Sequence, residues 1–182
     1  MLLISDDLDG YRQLCRRILA RSGSAKDPYV SQQMGTDCLL LPPSGADLLT
    51  VGHLAEAAVT AAPDKQYLPW SEVTKGLAEY RQGHFAAAVE WGQKTLLATG
   101  KVLERDAQAY AVLTMAQPQL KHADEARAAL GKAVELTQTK LPRLDSGDLG
   151  QLWHDLVVAH ILLREAKALI EGETDPTNQL KR

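Results

Sequence analysis

Histidine and cysteine side chains are the groups of this chain that could hold a metal ion. His154 and His160 lie six positions apart in an apolar segment. That spacing turns them to different faces of a helix, whereas a helical zinc pair needs positions i and i+4. Cys15 and Cys38 belong to no Cys-x-x-Cys motif, and no cysteine and histidine set has the spacing of a zinc site. We therefore expect no metal ion, no cofactor and two reduced, packed thiols.

The sequence offers no stronger evidence for a catalytic site than for a metal site. Asp155 follows His154 directly, but adjacent residues of a helix point apart, so His154 is better suited to packing or to a binding groove than to acid–base catalysis. Cys15 follows Leu14 on an apolar stripe, which is typical of a core thiol. The chain contains neither a glycine-rich phosphate loop nor a Gly-x-Ser-x-Gly elbow. The sequence predicts a protein that is not an enzyme.

Composition favours packed helices. The chain has 182 residues, of which 45% are hydrophobic, 24% charged and only 5% aromatic. Alanine and leucine are plentiful, and sheets prefer β-branched and aromatic residues. The net charge of −3 provides no basic footprint for nucleic acid. The N-terminal apolar run is too short for a signal peptide, and no apolar stretch approaches spanning length. We expect a cytoplasmic protein with no nucleic-acid or membrane partner.

Eight helices can be placed from apolar periodicity and from proline and glycine punctuation. No stretch alternates with a period of two, so no strand is predicted. Pro118 should kink or end its helix, because proline lacks the amide hydrogen and clashes with the preceding turn. We expect one domain at residues 1–172 and a flexible polar tail at residues 173–182. The predicted helices span residues 6–22, 28–41, 46–62, 69–83, 85–99, 104–120, 123–137 and 149–170.

Two copies of one helical hairpin occupy residues 76–133. Small residues recur where the two helices of each copy should cross closely, Gly76 and Ala88 in the first copy and Thr114 and Ala126 in the second. A hairpin that cannot bury its own apolar face has to stack on its neighbours, so such repetition is typical of a solenoid. Solenoids mostly serve as binding surfaces.

The hairpins resemble tetratricopeptide (TPR) repeats, whose first helix carries an aromatic residue, a leucine and a small residue. The separation from Gly76 to Thr114 is 38 residues and that from Thr114 to Val157 is 43, against about 34 in a regular TPR, so the repeats are degenerate. The resemblance implies an all-α, right-handed solenoid of antiparallel hairpins. The matching triplets are Tyr110, Leu113 and Thr114, and Trp153, Leu156 and Val157.

A wider resemblance is to the TPR region that follows a Ser/Thr kinase or WD40-type domain in large bacterial signalling proteins. It rests on residues 10–15, 38–42, 76–83, 124–127 and 153–166. None of the kinase motifs is in the chain. In this register the first helix is the second half of a repeat, so the chain would begin in the middle of a repeat.

The resemblance also implies a function, namely a scaffold that binds a peptide or protein segment in a concave groove. First helices of TPR hairpins line that groove. One alternative is a module that regulates a kinase-type protein in cis. Another is self-association, with a homodimer formed through the N-terminal helix, whose apolar face lacks a partner. The implied peptide-binding residues are Trp70, Tyr80, Arg81, Gln108, Met115, Gln119 and His154.

Overall fold

The computed structural model describes residues 7–43, 45–62 and 64–172, with only the backbone at positions 45 and 46. Within these ranges the chain forms eight α-helices and no β-strand, which confirms the all-α prediction. Short irregular turns extend two of the helices, a 3-10 turn at Gln117–Leu120 after α6 and a π turn at Leu136–Lys140 after α7. The helices are α1 Leu8–Ser22, α2 Pro28–Leu39, α3 Gly45–Thr60, α4 Leu68–Arg81, α5 Phe85–Leu96, α6 Leu103–Ala116, α7 Ala123–Glu135 and α8 Trp153–Glu171.

The helices form two compact units, one of residues 1–99 and one of residues 100–182. In the first unit α2 packs on α3, α4 packs on α2, α3 and α5, and α1 packs on α2 and α3. In the second unit α6 packs on α7 and α8, and α7 also packs on α8. The predicted polar tail at residues 173–182 lies outside the described residues.

Local capping explains why α1 and α2 begin where they do. The Asp7 carboxylate accepts a hydrogen bond from the Gly10 amide at 2.9 Å, and the Asp27 carboxylate accepts one from the Val30 amide at 2.9 Å. Pro28 occupies the first turn of α2, where its missing amide hydrogen costs nothing. The start of α2 at Asp27-Pro28 is therefore confirmed.

Every predicted helix is somewhat longer than the observed one, and apart from the break at Pro118 the largest differences are at the end of α5 and the start of α8. The fifth was expected to reach residue 99, but α5 ends at Leu96, and its Leu97 amide is shared between the carbonyls of Gln93 and Lys94. The eighth was expected to begin at residue 149, but α8 begins at Trp153. Gly150 has φ +75°, and its amide donates to the Asp148 carboxylate at 2.8 Å. This local turn competes with the helix.

Pro118 has the effect that the sequence predicts. The α-helical part of α6 ends at Ala116, and the chain continues as the short 3-10 turn that holds Pro118 in its first positions. Lys121 then takes φ +64°, a left-handed conformation that closes the turn before α7 begins at Ala123. A proline can open such a turn but cannot continue a helix.

The close crossing of α4 and α5 lies at Gly76 and Ala88. A Cβ on Gly76 would lie 3.3 Å from the Trp91 Cβ and 3.5 Å from the Ala88 carbonyl oxygen, so a larger residue here would require Trp91 to shift by a few tenths of an ångström. Ala88 is completely buried, and so is Ala126 in the second unit. The predicted burial of both alanines is confirmed.

Glu72 is an acidic residue within α4. It is buried, and its carboxylate lies 3.0 Å from the Lys94 ammonium group, which sits 4.5 Å from the centre of the Trp91 ring. A buried carboxylate needs such a partner. An ion pair therefore joins α4 to α5.

The core of the second unit forms around α6, α8 and the π turn. Ala107, Leu156 and Ala159 meet Leu136 and Leu141 in one buried cluster. In the described part of the chain no helix is both long and apolar enough to cross a membrane.

Candidate functional site

Three aromatic side chains lie at the starts of α2 and α4 in the first unit. Tyr29 is 48% exposed, and its ring centre is 4.2 Å from that of Tyr67 at an interplanar angle of 55°. Trp70 follows Tyr67 by three residues, and its amide donates to the Tyr67 carbonyl at 3.0 Å, so both residues belong to the turn that opens α4. Tyr67 and Trp70 are half-buried. We call Tyr29, Tyr67 and Trp70 the aromatic patch.

Helix-start chemistry positions this patch. Tyr29 directly follows the Asp27-Pro28 start of α2. Before α4, the Asp64 carboxylate accepts hydrogen bonds from the amides of Gln66 and Tyr67 at 2.8 and 2.7 Å. An aspartate that binds amides two and three residues ahead stabilises a turn. The backbone that carries both tyrosines is thus held locally at each helix start.

A buried polar network supports the patch from below. The Tyr67 hydroxyl donates to the Gln32 side-chain oxygen at 2.9 Å. The Gln32 amide group donates to the hydroxyls of Thr36 and Thr74, at 3.2 Å each. The Thr74 hydroxyl donates to the Trp70 carbonyl at 3.0 Å. Its single proton is therefore used, and Thr36 is the donor in the 2.7 Å contact between the two threonines.

This network holds α2 and α4 in a fixed relative position. Gln32, Thr36 and Thr74 are buried, and buried hydrogen bonds that satisfy one another fix the relative positions of the groups that they join. They tie α2 to α4 directly beneath Tyr67. A ligand that binds the aromatic patch would meet a Tyr67 side chain that has already lost much of its conformational freedom, which lowers the entropic cost of binding.

Arg81, predicted as a peptide-binding residue, interacts with the end of α2. Its Nε donates to the Leu39 carbonyl at 2.9 Å and its Nη2 to the Leu40 carbonyl at 3.2 Å. These are carbonyls that a helix C-terminus leaves without partners inside the helix. The guanidinium also lies 5.4 Å from the centre of the Tyr80 ring, which is 6.0 Å from that of Phe85. The structure thus places Arg81 as a cap that joins α4 to α2.

In the second unit two of the predicted residues are buried. Gln108 donates from its side chain to the Asp155 carbonyl at 3.1 Å, which joins α6 to α8, and Met115 is completely buried. A peptide lying on the surface of this conformation would touch neither side chain. The reason is that α6 is covered on both sides, by α7 and by α8. This burial depends on the packing of α8, which the sequence pattern of α6 alone does not contain.

The other two predicted residues of the second unit are more accessible. Gln119 is exposed on the 3-10 turn after α6. His154 is half-buried in the first turn of α8, and its Nδ1 lies 4.0 Å from the Asp155 carboxylate, too far for a hydrogen bond. Its ring meets Trp153 edge-on at 5.9 Å between ring centres. The contact with Asp155 does not have the geometry of an acid–base pair.

His160 lines an open cavity of about 430 Å³ in the second unit, together with Thr137, Gln138, Arg143, Leu144 and Asp145. Burial lowers the pKa of His160, an effect that a hydrogen bond to the Pro142 carbonyl opposes, so the imidazole is neutral near pH 7. The described side chains form no group of three or more His, Cys, Asp or Glu that could hold a metal ion.

Sequence reasoning missed Tyr29, Gln32 and Tyr67. The spacing of Tyr29, Gln32 and Thr36, which is i, i+3 and i+7, puts them on one face of α2 and could have indicated this face. Their partner Thr74 is 42 residues from Gln32, and nothing local in the sequence pairs them.

Comparison of the chain with protein-family models, with curated proteins and with solved structures found no match.

Proposed function

We propose that this chain is a protein-interaction module that binds a peptide segment of another protein on the aromatic patch. One observation carries the proposal: the Tyr29 and Tyr67 rings are in tilted contact at the surface, and a buried hydrogen-bond network holds the Tyr67 side chain. Tyrosine and tryptophan anchors supply much of the binding energy of protein interfaces. The proposed role is binding rather than catalysis, in the cytoplasm.

The proposed architecture is a TPR-like, right-handed solenoid of antiparallel hairpins. In its support, α4 and α5 form a hairpin across the short connection at residues 82–84, and α2 packs on both α3 and α4. In a stack of hairpins each first helix contacts its own second helix and the first helix of the next hairpin. With α2 and α4 as successive first helices, the aromatic patch lies on the groove-lining side.

The chemistry of the patch suits a peptide with apolar anchors. Tyr29 and Trp70 offer ring surface to a ligand, while the hydroxyl of Tyr67 is engaged by Gln32. Among the residues first predicted for the groove, Trp70 belongs to this patch. Arg81 supports the proposed site by joining α4 to α2, and it is not proposed to hydrogen-bond the peptide.

A display selection tests this proposal. Random peptides would be selected on the wild-type protein, and the affinity of selected peptides would then be measured for Tyr29→Ala and Trp70→Ala. Loss of an anchor should cost about 2 kcal/mol, a factor of about 30 in Kd. Leu97→Ala is the matched control, because Leu97 is an apolar residue of the same unit that is 83% exposed. Equal loss with Leu97→Ala, or unchanged affinity with both aromatic variants, would contradict the proposal.

Self-association through α1 is a second candidate function, favoured by how little of α1 is covered. Of its residues only Tyr11 is buried, while Leu14 is 38% exposed and Ile18 and Leu19 are half-buried. Apolar surface of this kind often marks an interface. Sedimentation should show a dimer that Leu14→Asp dissociates and that Gln13→Asp, on an exposed neighbouring position, leaves intact. A monomer at all concentrations would eliminate this candidate.

A further inference from the structure

The two cysteines of the chain meet where α1 packs on α2. Cys15 follows Tyr11 by one helical turn, so both side chains lie on the same face of α1. The Tyr11 hydroxyl donates to the Asp37 carbonyl at 2.8 Å and accepts from the Leu41 amide at 3.2 Å, which are positions on either side of Cys38. Because these bonds bring the end of α2 against the face of α1 that carries Cys15, the two thiols lie close enough for each to shift the pKa of the other.

The two thiols differ in access and in acidity. Cys38 is 1% exposed, whereas Cys15 is only partly covered. The hydrogen bond from Cys38 lowers the pKa of Cys15 despite its burial, and the same pairing, with burial, raises the pKa of Cys38. The thiolate is the nucleophilic form of cysteine. We therefore expect Cys15 to react with an oxidant first and the buried Cys38 to be the resolving thiol.

We propose that Cys15 and Cys38 are a modification site, a dithiol that a peroxide converts into a reversible disulfide joining α1 to α2. The Cys15 thiolate attacks one peroxide oxygen, the O–O bond breaks, and Cys15 becomes a sulfenic acid while hydroxide leaves. The Cys38 sulfur then attacks the Cys15 sulfur, loses its proton, and displaces the oxygen as water. Two thiols and one hydrogen peroxide give one disulfide and two waters, and an external dithiol restores the thiols.

The proposed bond acts on a helix that is otherwise weakly held. Tyr11 is the buried residue of α1, so the noncovalent contacts of this helix are few. A covalent link from Cys15 to Cys38 limits how far α1 can separate from α2. The oxidised protein therefore holds α1 in place, and the reduced protein leaves it free to open.

Thiol titration and mass spectrometry of the full chain test the proposal. After treatment of dilute protein with hydrogen peroxide, titratable thiols should fall from two to none, and dithiothreitol should return them. A tryptic digest should contain residues 13–16 linked to residues 27–65, with a mass lower than the two peptides by about two hydrogens. Two remaining thiols, a Cys15 that stays as a sulfur oxyacid, or a link between two chains would overturn it.

Variants separate the two sulfurs. Cys38→Ser should leave Cys15 as a sulfenic acid that dimedone traps, whereas the wild type should give little adduct because Cys38 resolves it. Cys15→Ser should slow the oxidation of the remaining thiol, because Cys38 is buried. Hydrogen exchange gives a readout that uses the wild type alone: amides of α1 should exchange several-fold more slowly after oxidation, and those of α8 should not change. Equal exchange of α1 in both forms would contradict the consequence for the helix.

Discussion

Small side chains set how closely α4 and α5 approach each other. Gly76 has the Trp91 Cβ and the Ala88 carbonyl against its own Cα, and Ala88 is completely buried. The sequence indicated this crossing because small residues recur at the corresponding positions of the second hairpin, Thr114 and Ala126. It could not show that Trp91 closes one side of it, since that contact depends on how α5 is rotated.

Overpacking this crossing should destabilise the protein. Ala88→Leu adds volume where no space exists and should cost about 1–3 kcal/mol of the free energy of unfolding, and the same applies to Ala126→Leu in the second unit. Urea denaturation measures this cost. The controls are Ala86→Leu and Ala128→Leu, at exposed positions of the same helices, which should stay within about 0.5 kcal/mol of wild type. If buried and exposed variants unfold together, the packing described for these crossings is wrong.

The two hydrogen bonds of Arg81 to the end of α2 should contribute to the stability of the protein. Arg81→Met keeps much of the apolar stem but leaves the Leu39 and Leu40 carbonyls without its two hydrogen bonds, so the protein should lose about 1–3 kcal/mol. Arg81→Lys should recover only part of the loss, because an ammonium group cannot reproduce the fork of the guanidinium. Thermal unfolding monitored by circular dichroism measures both. Arg127→Met, on an exposed face of α7, is the control, and equal melting of all three variants would argue against a capping role.

At the scale of the element, helix starts could be read from the sequence more reliably than helix ends. Asp27 and Pro28 predict the start of α2, because helix capping depends only on residues that are adjacent in the sequence. The end of α5 and the start of α8 were misplaced, because the competing turns at residues 97–100 and 148–150 depend on hydrogen bonds and positive φ values that periodicity does not report.

The turn between α6 and α7 offers a stabilising change. Among the described residues other than glycine, Lys121 is the one with a positive φ, +64°. Lys121→Gly should raise the free energy of unfolding by about 0.5–1 kcal/mol, because glycine adopts this conformation without the Cβ conflict. Chemical denaturation of Lys101→Gly is the comparison, since exposed Lys101 lacks that conformation and should gain nothing. A loss of stability in Lys121→Gly would show that the turn is held differently.

Charge links α3 to α4 and predicts an acid dependence. The Lys75 ammonium group lies 3.0 Å from Glu56 and 2.6 Å from Glu79, and Glu79 also contacts His84 at 2.6 Å. Burial alone would raise the pKa of Glu79, but the hydrogen bonds from Lys75 and His84 outweigh it and lower that pKa below its ordinary 4.5.

The lowered pKa of Glu79 determines the direction in which stability changes with pH. A carboxyl group whose pKa is lower in the folded state stabilises the protein above its unfolded pKa, and this contribution disappears as the pH falls through the folded value. Glu79→Gln should therefore lose about 0.5–1 kcal/mol at neutral pH, a modest figure because solvent screens the pair, and should lose less than wild type between pH 5 and 3. The free energy of unfolding measured across this pH series tests the prediction. The control is Glu90→Gln, at an exposed position of α5. Parallel pH profiles for Glu79→Gln and wild type would contradict the assignment.

For the whole molecule, the absence of strands among the described residues has a spectroscopic consequence. Far-ultraviolet circular dichroism of the full chain should show the double minimum of α-helix without a strand component, because the regular structure of the described residues is helical. A substantial strand component would contradict the fold. Deconvolution against a protein of known all-helical structure would serve as the reference measurement.

The candidate site was only partly readable before the structure. Trp70 was predicted from its place in the repeat and lies on the aromatic patch, whereas Tyr29 joins it from a helix about 40 residues earlier. Gln108 and Met115 fell on the expected helix but are buried, because the repeat pattern describes one hairpin and does not report how α8 covers α6. The peptide-binding role of the predicted residues stays a proposal.

The sequence by itself determined the helical class, most helix starts, the break at Pro118 and the small residues at the two crossings. All of these depend on properties that act over a few residues, namely apolar period, caps, missing amide hydrogens and side-chain volume. Only the tertiary structure decided that Arg81 caps α2, that the Tyr29 ring contacts Tyr67, whose hydroxyl bonds Gln32, and that Cys15 lies close to Cys38. Each of these contacts joins residues that are more than 20 positions apart, and the free energy that selects them comes from burying the helices together rather than from any local preference.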